Sequence, residues 1–205
     1  MTKPRYEQKD VEILAKDRVY DGFYKMDRLT LKHKTFAGDW SQPITRELMN
    51  RHDAVCVLIW DPEADTIVIC EQFRVGSLAE PSPWLYELVA GLIDKDESPE
   101  EVGRREAVEE AGVEIGQMKF LYRYQPSPGG SNETVYLYVA QAKLPEQGGV
   151  FGLAEESEDI RTHIIARREA MQWIEDGRIA NAASLLALQW LAFYEGELRQ
   201  EWGIG

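Results

Sequence analysis

Apolar residues alternate with polar ones over much of the first quarter of the chain. The pattern is seen from Val11 to Ala15 and continues through residues 24–36 and 44–49. A period of two predicts half-buried β-strands. Because so few strands cannot bury a core alone, we expect this N-terminal β domain, residues 1–49, to pack on the main domain or on a partner chain, with roles in dimerisation and substrate contact.

The remaining residues, 50–205, combine extended apolar runs with stretches of helical spacing. Strands and helices are mixed without a regular strand–helix–strand repeat, which predicts an α/β (α+β) fold with a mixed sheet between helices. The predicted strands are 54–60, 66–73, 84–89, 120–124, 135–140 and 160–165, the predicted helices are 99–111, 167–175 and 182–198, and residues 145–152 form a glycine-rich loop.

Composition narrows the range of functions that the protein could have. The 205 residues are 44% hydrophobic and 29% charged, which is typical of a globular protein. A formal charge of -13 argues against nucleic acid as a partner. If the substrate carries phosphates, a divalent cation is expected between them and the protein's carboxylates.

Two further features concern the cellular setting. Cys56 and Cys70 lie in apolar runs and are predicted to be buried free thiols rather than a disulfide or a zinc site. The first residues are polar with no apolar stretch behind them, and no segment has the roughly 20 apolar residues of a membrane span. We therefore expect a cytoplasmic protein without membrane contact.

Segment 91–113 is predicted to form a loop, a helix and a second loop. Ser98 is a suitable N-cap, Pro99 occupies the first helical position, and Glu101 completes a capping box. Gly112 suits the position just after the helix, where the backbone often turns left-handed.

A helical wheel of this segment separates an apolar arc from an acidic one. At about 100° per residue, the arc expected to pack on the sheet contains Ala107, Val108 and Ala111. Glu106, Glu109 and Glu110 fall on the opposite side, where Glu106 and Glu110 are neighbours four residues apart. A solvated acidic face would explain the helix alone, whereas a cation bridging the two carboxylates would remove their repulsion.

The complete pattern resembles the Nudix box, G-x5-E-x7-R-E-U-x-E-E-x-G-U, in which U is a bulky aliphatic residue. The matching residues are Gly91, Glu97, Arg105, Glu106, Glu109, Glu110, Gly112 and Val113. Ala107 departs from the pattern at a position facing the core, so the change should affect packing more than chemistry. The resemblance implies hydrolysis of a nucleoside diphosphate linked to another group, with Mg²⁺ or, as a substitute, Mn²⁺.

The resemblance also implies roles for individual residues. Glu106, Glu110 and the carbonyl of Ala90 would be metal ligands, Glu109 would support them, and Arg105 would pair with Glu97 to brace the segment. In the acidic loop 155–159, Glu156 would be the general base and Glu158 a further ligand. Taken alone, that loop is an ordinary solvated turn, but a base on a mobile loop can close over bound substrate.

Two features indicate the branch of the family that hydrolyses ADP-ribose to AMP and ribose 5-phosphate. Pro128 lies fifteen residues after Val113, at a position typical of that branch, although a plain turn would also explain it. The resemblance also extends over nearly the whole chain, and its segments are 10–13, 22–23, 71–74, 83–85, 152–161 and 181–190.

This branch implies substrate contacts outside the box. Arg74 would bind a phosphate oxygen, although a surface salt bridge explains it equally well. Phe23 would stack on adenine, although it could also be a core residue. Arg46 and Glu47 would come from the other subunit of a homodimer with exchanged N-terminal domains. The resemblance also implies that Ser127, Gly129 and Glu133 would bind substrate.

Other functions remain open. One is a related nucleotide-sugar hydrolase acting on a substrate such as GDP-mannose. NADH is disfavoured, because no Ser-Gln-Pro-Trp-Pro-Phe array follows the box. A nucleotide-sensing module without chemistry would be expected to have an eroded box, whereas every carboxylate of the pattern is present here.

Overall fold

The computed structural model describes residues 4–94 and 96–204, with only the backbone of Glu156. These residues form two β-sheets and a set of helices. The strands are β1 (Val11–Asp21), β2 (Lys25–His33), β3 (Ile44–Asn50), β4 (Asp53–Asp61), β5 (Thr66–Phe73), β6 (Trp84–Glu87), β7 (Val89–Ile93), β8 (Met118–Tyr124), β9 (Val135–Gln141), β10 (Val150–Phe151) and β11 (Ile160–Ala166), and the helices are α1 (Pro99–Ala111), α2 (Arg167–Glu175) and α3 (Ala182–Trp202).

The chain divides into two compact units, of which the first runs to His52 and includes Gln125–Glu133. Its sheet has the order β1-β2-β3 and is antiparallel throughout. The segment 125–133, which falls within the predicted domain 50–205, is tied to β3 by backbone hydrogen bonds. The amide of Met49 donates to the carbonyl of Gly130 over 2.8 Å, and the amide of Asn132 donates back to Met49 over 3.4 Å.

A buried carboxylate lies at the centre of this first unit. Asp27 on β2 is completely buried and accepts a hydrogen bond from Nε of Arg18. Nδ2 of Asn50 donates to it over 2.8 Å, and Nζ of Lys16 lies 3.0 Å away. These donors, Arg18 above all, hold the pKa of Asp27 well below its ordinary range. The carboxylate therefore stays charged and ties β1, β2 and β3 together.

The second unit is built on an eight-stranded sheet with the order β10-β11-β5-β4-β9-β8. Strands β6 and β7 extend it by pairing with β5 and β4. The pairing of β4 with β9 is parallel and the other pairings are antiparallel. The predicted mixed sheet is therefore confirmed.

Alternating side chains on β4 divide the second unit into two cores. Leu58 and Trp60 belong to a cluster that includes α2 and α3 residues such as Leu188. Val57 belongs to the other cluster, which includes Val102 on α1. Since successive side chains of a strand point to opposite faces, α1 covers one face of the sheet and α2 with α3 covers the other. This sandwich agrees with the predicted architecture.

The single strand predicted over 84–89 is instead two strands, and that prediction was wrong. β6 pairs with β5 and β7 pairs with β4, with the buried Leu88 between them. An apolar run does not reveal a change of partner, because both halves are equally suited to a sheet. The change places Glu87 opposite Cys70 and Ala90 opposite Cys56.

The helices agree closely with their predicted bounds. α1 and α2 begin and end as predicted, whereas α3 extends to Trp202 and ends at Gly203, which is left-handed at φ 67°. Both cysteines are buried and neither forms a disulfide, as predicted. In the described part of the chain, no helix is both long and apolar enough to cross a bilayer.

Candidate active site

The caps of α1 are those that the sequence predicts. The hydroxyl of Ser98 accepts from the amide of Glu101, whose carboxylate accepts from the amide of Ser98 over 2.7 Å. Pro99 begins the helix, and Gly112 ends it in the left-handed conformation at φ 63°. A side chain at Gly112 would also collide with Phe151. These local contacts fix where the helix begins and ends.

The buried face of α1 differs from the predicted arc. Its buried residues are Val102, Gly103, Ala107, Glu110 and Ala111. Val108, which the wheel assigned to the sheet, is 50% exposed, so that assignment was wrong. The buried arc is centred near Gly103 and Ala107, and at about 100° per residue it includes Glu110 and leaves Val108 outside. A carboxylate is therefore directed into the protein where a purely apolar face was expected.

Glu106 approaches β7 at Gly91. A Cβ added at Gly91 would overlap the carboxylate of Glu106, so only glycine allows this close contact. Burial raises the pKa of Glu106 to about 7, although the charge of Arg105 opposes the shift. The position of Glu106 therefore requires a residue without a side chain at Gly91, the first glycine of the box.

Glu110 is the more deeply buried of the two carboxylates, at 3% exposure. Its Oε2 accepts a hydrogen bond of 2.9 Å from the amide of Ala90. Burial raises the pKa of Glu110 to about 8, the Ala90 amide opposes the shift, and the negative charges of Glu106 and Glu158 increase it. The negative charge of the carboxylates at this site is therefore only partly balanced by the positive groups of the protein.

Arg105 links three carboxylates. Its Nη1 donates to Glu106 over 2.8 Å and to Glu109 over 2.7 Å, and its Nη2 lies 3.5 Å from Glu97. The predicted pair with Glu97 is thus present, at the longest of the three distances. Its buried Nε has no hydrogen-bond partner among the described residues. Arg105 therefore orients the acidic face of α1 rather than neutralising Glu110.

The acidic loop lies close to the same helix. The amide of Gly152 donates to the carbonyl of Glu109 over 3.2 Å, and a Cβ at Gly152 would collide with Glu158. Ser157 is left-handed at φ 56°, which is uncommon for a residue with a side chain. Glu158 contributes to the raised pKa of both Glu106 and Glu110. The side chain of Glu156, the predicted base, lies outside the described part of the chain.

The available donors fit a hard divalent cation. In the described ranges, no three His, Cys, Asp or Glu side chains are already grouped as a metal site. Glu106 and Glu110 are instead held by Arg105 and by the Ala90 amide. Carboxylate and carbonyl oxygens are nevertheless the ligands that Mg²⁺ prefers. A cation would also stabilise the charged forms of these two carboxylates, one buried and one partly buried, whose pKa values are raised.

Arg74 pairs with a residue that the sequence did not single out. Its Nε donates to Oε2 of Glu87 over 2.6 Å, and the side chain of Glu87 is mostly buried. Arg74 is therefore in a partly buried ion pair rather than a fully exposed one. Burial acts to lower the pKa of Arg74, but the charge and hydrogen bond of Glu87, with a further contribution from Glu110, raise it.

The other predicted substrate contacts lie in the first unit. Phe23 is 73% exposed, so its alternative assignment to the core is wrong, and its ring lies edge-on to Tyr24 at 4.9 Å. Arg46 and Glu47 are exposed on β3. Nη1 of Arg46 donates to the carbonyl of Thr45 over 2.7 Å.

The segment 125–133 combines an exposed turn with a buried acid. The carbonyl of Ser127 accepts from the amide of Ser131 over 3.0 Å, and Gly129 has open space beside it. Glu133 is buried and pairs with Nη1 of Arg51 at 3.1 Å. The guanidinium of Arg51 also lies 5.0 Å from the ring centre of Tyr24. Within the first unit, Arg51 therefore joins Glu133 to the Phe23–Tyr24 pair.

Sequence reasoning missed both Glu87 and Arg51. Glu87 ends an ordinary apolar strand, and Arg51 lies in a short connection between two strands. No spacing or motif marks either residue. Each gains its importance from a partner distant in sequence, so only the tertiary contact identifies it.

Comparison with known proteins gives the class. The NUDIX domain family matches residues 50–183. The chain therefore belongs to the Nudix family and is a Nudix hydrolase. The family explains why a glutamate-rich helix, its preceding glycine and its arginine occur in one short segment.

The chain is also similar to particular curated relatives. It is 42% identical over 194 residues to the ADP-ribose pyrophosphatase of Escherichia coli (strain K12), covering 94% of this chain and 93% of the relative. It is 39% identical over 201 residues to that of Haemophilus influenzae, covering 96% and 93%. The GDP-mannose pyrophosphatase of Enterobacter sp. (strain 638) is 31% identical over 183 residues, covering 88% and 94%.

A solved structure shares the fold. The crystal structure of an ADP compounds hydrolase matches with a TM-score of 0.69, covering 91% of this chain and 97% of its own. The two sequences are 22% identical, so this likeness shows a shared fold and no more.

Proposed function

We propose that this Nudix hydrolase cleaves ADP-ribose to AMP and ribose 5-phosphate with Mg²⁺. The observation that carries the proposal is the pair of carboxylates held against β7 with raised pKa values, of which Glu110 is buried and Glu106 is partly buried. The substrate is supported by identities of 39% and 42% to ADP-ribose pyrophosphatases over more than nine-tenths of the chain.

Four groups would hold the metal: the carboxylates of Glu106, Glu110 and Glu158 and the carbonyl of Ala90. Mn²⁺ suits the same oxygen ligands. When bound, the cation would neutralise the diphosphate and lower the pKa of water. The protein's part is to supply the negative charge at a fixed position, and the buried surroundings strengthen that charge.

The other residues of the site would orient the reacting groups. Arg105 would hold Glu106 and Glu109 in place through its hydrogen bonds of 2.8 and 2.7 Å. Arg74 would contact a phosphate oxygen. Glu156 would accept the proton from the attacking water, as a carboxylate on a loop can do once substrate is bound.

Adenine recognition would involve the first unit of a homodimer with exchanged N-terminal domains. The exposed ring of Phe23 supports a stacking role, and Arg46 and Glu47 are exposed on β3. Ser127, Gly129 and Glu133 would complete the contacts. The dimer is supported by β1, whose apolar side chains are exposed, for example Ile13 at 54%. Light scattering during gel filtration should give twice the mass of the chain, and a single-chain mass would contradict the exchange.

A second candidate is a GDP-mannose-type hydrolase, which the 31% identity to the Enterobacter relative favours. The deciding experiment offers equimolar ADP-ribose, GDP-mannose and NADH with Mg²⁺ and separates the products by chromatography. AMP and ribose 5-phosphate appearing first, and only with metal, would support the proposal. Preferential release of GMP and mannose 1-phosphate would overturn the substrate and keep the reaction.

A further inference from the structure

Glu87 is a mostly buried acid that pairs with Arg74, a proposed substrate contact. It is the last residue of β6 and lies opposite Cys70 on β5. Its Oε2 accepts the Nε hydrogen of Arg74 over 2.6 Å. Unpaired, this carboxylate would repel a phosphate, so its presence close to the site requires an explanation.

The hydrogen bonding of Arg74 supplies that explanation. The amide of Arg74 donates to the carbonyl of Pro83 over 2.7 Å, which fixes its backbone at the end of β5. Its side chain is long and would otherwise adopt many rotamers. Nη1 and Nη2 make no hydrogen bond to the described residues, so the described part of the chain uses one of the five N–H groups of the guanidinium. No described residue therefore occupies the two terminal nitrogens, which suits them to a ligand.

We propose that Glu87 is a positioning residue that orients Arg74 towards the diphosphate of the substrate. The inference rests on the proposed function of Arg74 as a phosphate contact. Pairing through Nε leaves the terminal nitrogens of Arg74 for two oxygens of one phosphate.

The course of the backbone is a second reason to assign a positioning role to Glu87. Glu87 is followed, across Leu88, by β7, which carries Ala90 and Gly91. Ala90 contacts Glu110, and Gly91 is closely approached by Glu106. One short backbone segment therefore fixes Arg74 relative to the proposed metal ligands. Correct spacing between the cation and the arginine matters because small misplacements of reacting groups cost much of the rate.

The test compares four variants: Glu87→Ala, Glu87→Gln, Arg74→Ala and the double variant of Arg74→Ala with Glu87→Ala. Each is assayed with ADP-ribose over a range of Mg²⁺ concentrations, and its binding of ADP, a diphosphate that probes the same contact, is measured by calorimetry. Glu87→Ala should raise KM and the Kd for ADP by about tenfold, whereas Glu87→Gln keeps an acceptor oxygen and should stay within about threefold. The Mg²⁺ concentration for half-maximal activity should change less than about twofold.

The double variant decides the mechanism. In the Arg74→Ala background, Glu87→Ala should change KM and Kd by less than about twofold, because the group that it orients is gone. An equal loss in both backgrounds would overturn the inference. A shift in the Mg²⁺ requirement without a change in ADP affinity would also overturn it, because Glu87 would then act on the metal.

Two controls distinguish a failure of the inference about Glu87 from a non-specific effect of losing a half-buried acid and from a failure of the proposed substrate. Glu195→Ala removes a half-buried partner of Arg167, whose Nη2 lies 2.5 Å away, and should leave KM and ADP affinity unchanged. If the wild-type protein does not hydrolyse ADP-ribose, the proposed substrate fails. The calorimetric comparison with ADP still tests Glu87, because it depends on the diphosphate and not on turnover.

Discussion

Asp27 on β2 and Glu110 on α1 are both buried carboxylates, and their surroundings act on them in opposite directions. Asp27 receives hydrogen bonds from Arg18 and Asn50 and has Lys16 nearby, so its pKa is lowered. Glu110 receives one backbone amide and is surrounded by further carboxylates, so its pKa is raised to about 8. The first charge is balanced within the protein, whereas the second is not.

The difference between the two sites shows how a buried acid that stabilises the fold can be distinguished from a buried acid that binds a ligand. A buried charge stabilises a fold only when its partners compensate for the loss of water. Burial without compensation, in a group close to similar groups, is typical of functional sites. Glu110 is therefore a candidate ligand because its surroundings are incomplete, and Asp27 is excluded because its surroundings are complete.

The sharpest way to break this comparison is Glu110→Gln. The amide oxygen can still accept from Ala90, but the charge is lost, so we expect kcat to fall about a thousandfold or more. The protein should remain folded, with an unchanged or higher Tm. Turnover with Mg²⁺ and thermal unfolding check both statements. Near-normal turnover would instead show that the charge of Glu110 is not needed and that this residue is not a metal ligand.

Gly91→Ala tests whether the close approach of Glu106 to β7 is needed for activity. The added Cβ would overlap the carboxylate of Glu106 and displace it from β7. We expect kcat/KM to fall about a hundredfold, because a misplaced ligand weakens both metal binding and orientation. Gly196→Ala in α3 provides a matched control, since a Cβ there meets nothing within 4 Å and that residue has no part in the proposed site. Equal losses in the two variants would show that the approach of Glu106 is unimportant.

Asp27→Asn should show the opposite of Glu110→Gln, with a loss of stability and no change in the metal requirement. The variant leaves Arg18 and Lys16 without their buried counter-charge, so Tm should fall by roughly 10 °C. The Mg²⁺ concentration for half-maximal activity should not change, because no metal role is assigned to this residue. Calorimetry and metal titration below the transition measure the two quantities. A shifted metal requirement with an unchanged Tm would contradict the structural role of Asp27.

Local features of the site could be predicted from the sequence. The bounds and caps of α1 depend on Ser98, Pro99, Glu101 and Gly112, which act on their own backbone within a few residues. The mixed sheet followed from apolar runs without a strand–helix repeat. The Nudix box also located Glu106 and Glu110, although not the burial of Glu110.

Features that depend on distant partners could not be predicted. Val108 was assigned to the core because a wheel gives relative angles and does not show which arc meets the sheet. The break between β6 and β7 reflects a change of partner that one apolar run cannot reveal. The importance of Glu87 and Arg51 comes from side-chain contacts with residues distant in the sequence, Arg74 and Glu133.

The smallest expected effect concerns pH in the absence of metal. The ordinary pKa of Glu110 is 4.5, and its folded-state value is about 8. The folded state therefore binds the proton of Glu110 more tightly than the unfolded state does. The resulting contribution to the free energy of unfolding is fully present below pH 4.5 and is lost as the pH rises towards 8. At pH 7 the cost is on the order of 3 kcal/mol, equivalent to roughly 5–10 °C in Tm for a chain of this size.

In EDTA, the Tm of the wild type should accordingly fall between pH 5 and pH 7.5 by more than that of Glu110→Gln. The difference between the two proteins isolates Glu110 from other groups that titrate in this range. Added Mg²⁺ should raise the Tm of the wild type at pH 7.5 more than that of the variant, because bound ligand stabilises the folded state. If both proteins have the same pH dependence in EDTA, Glu110 is compensated as fully as Asp27, and the contrast between the two carboxylates does not hold.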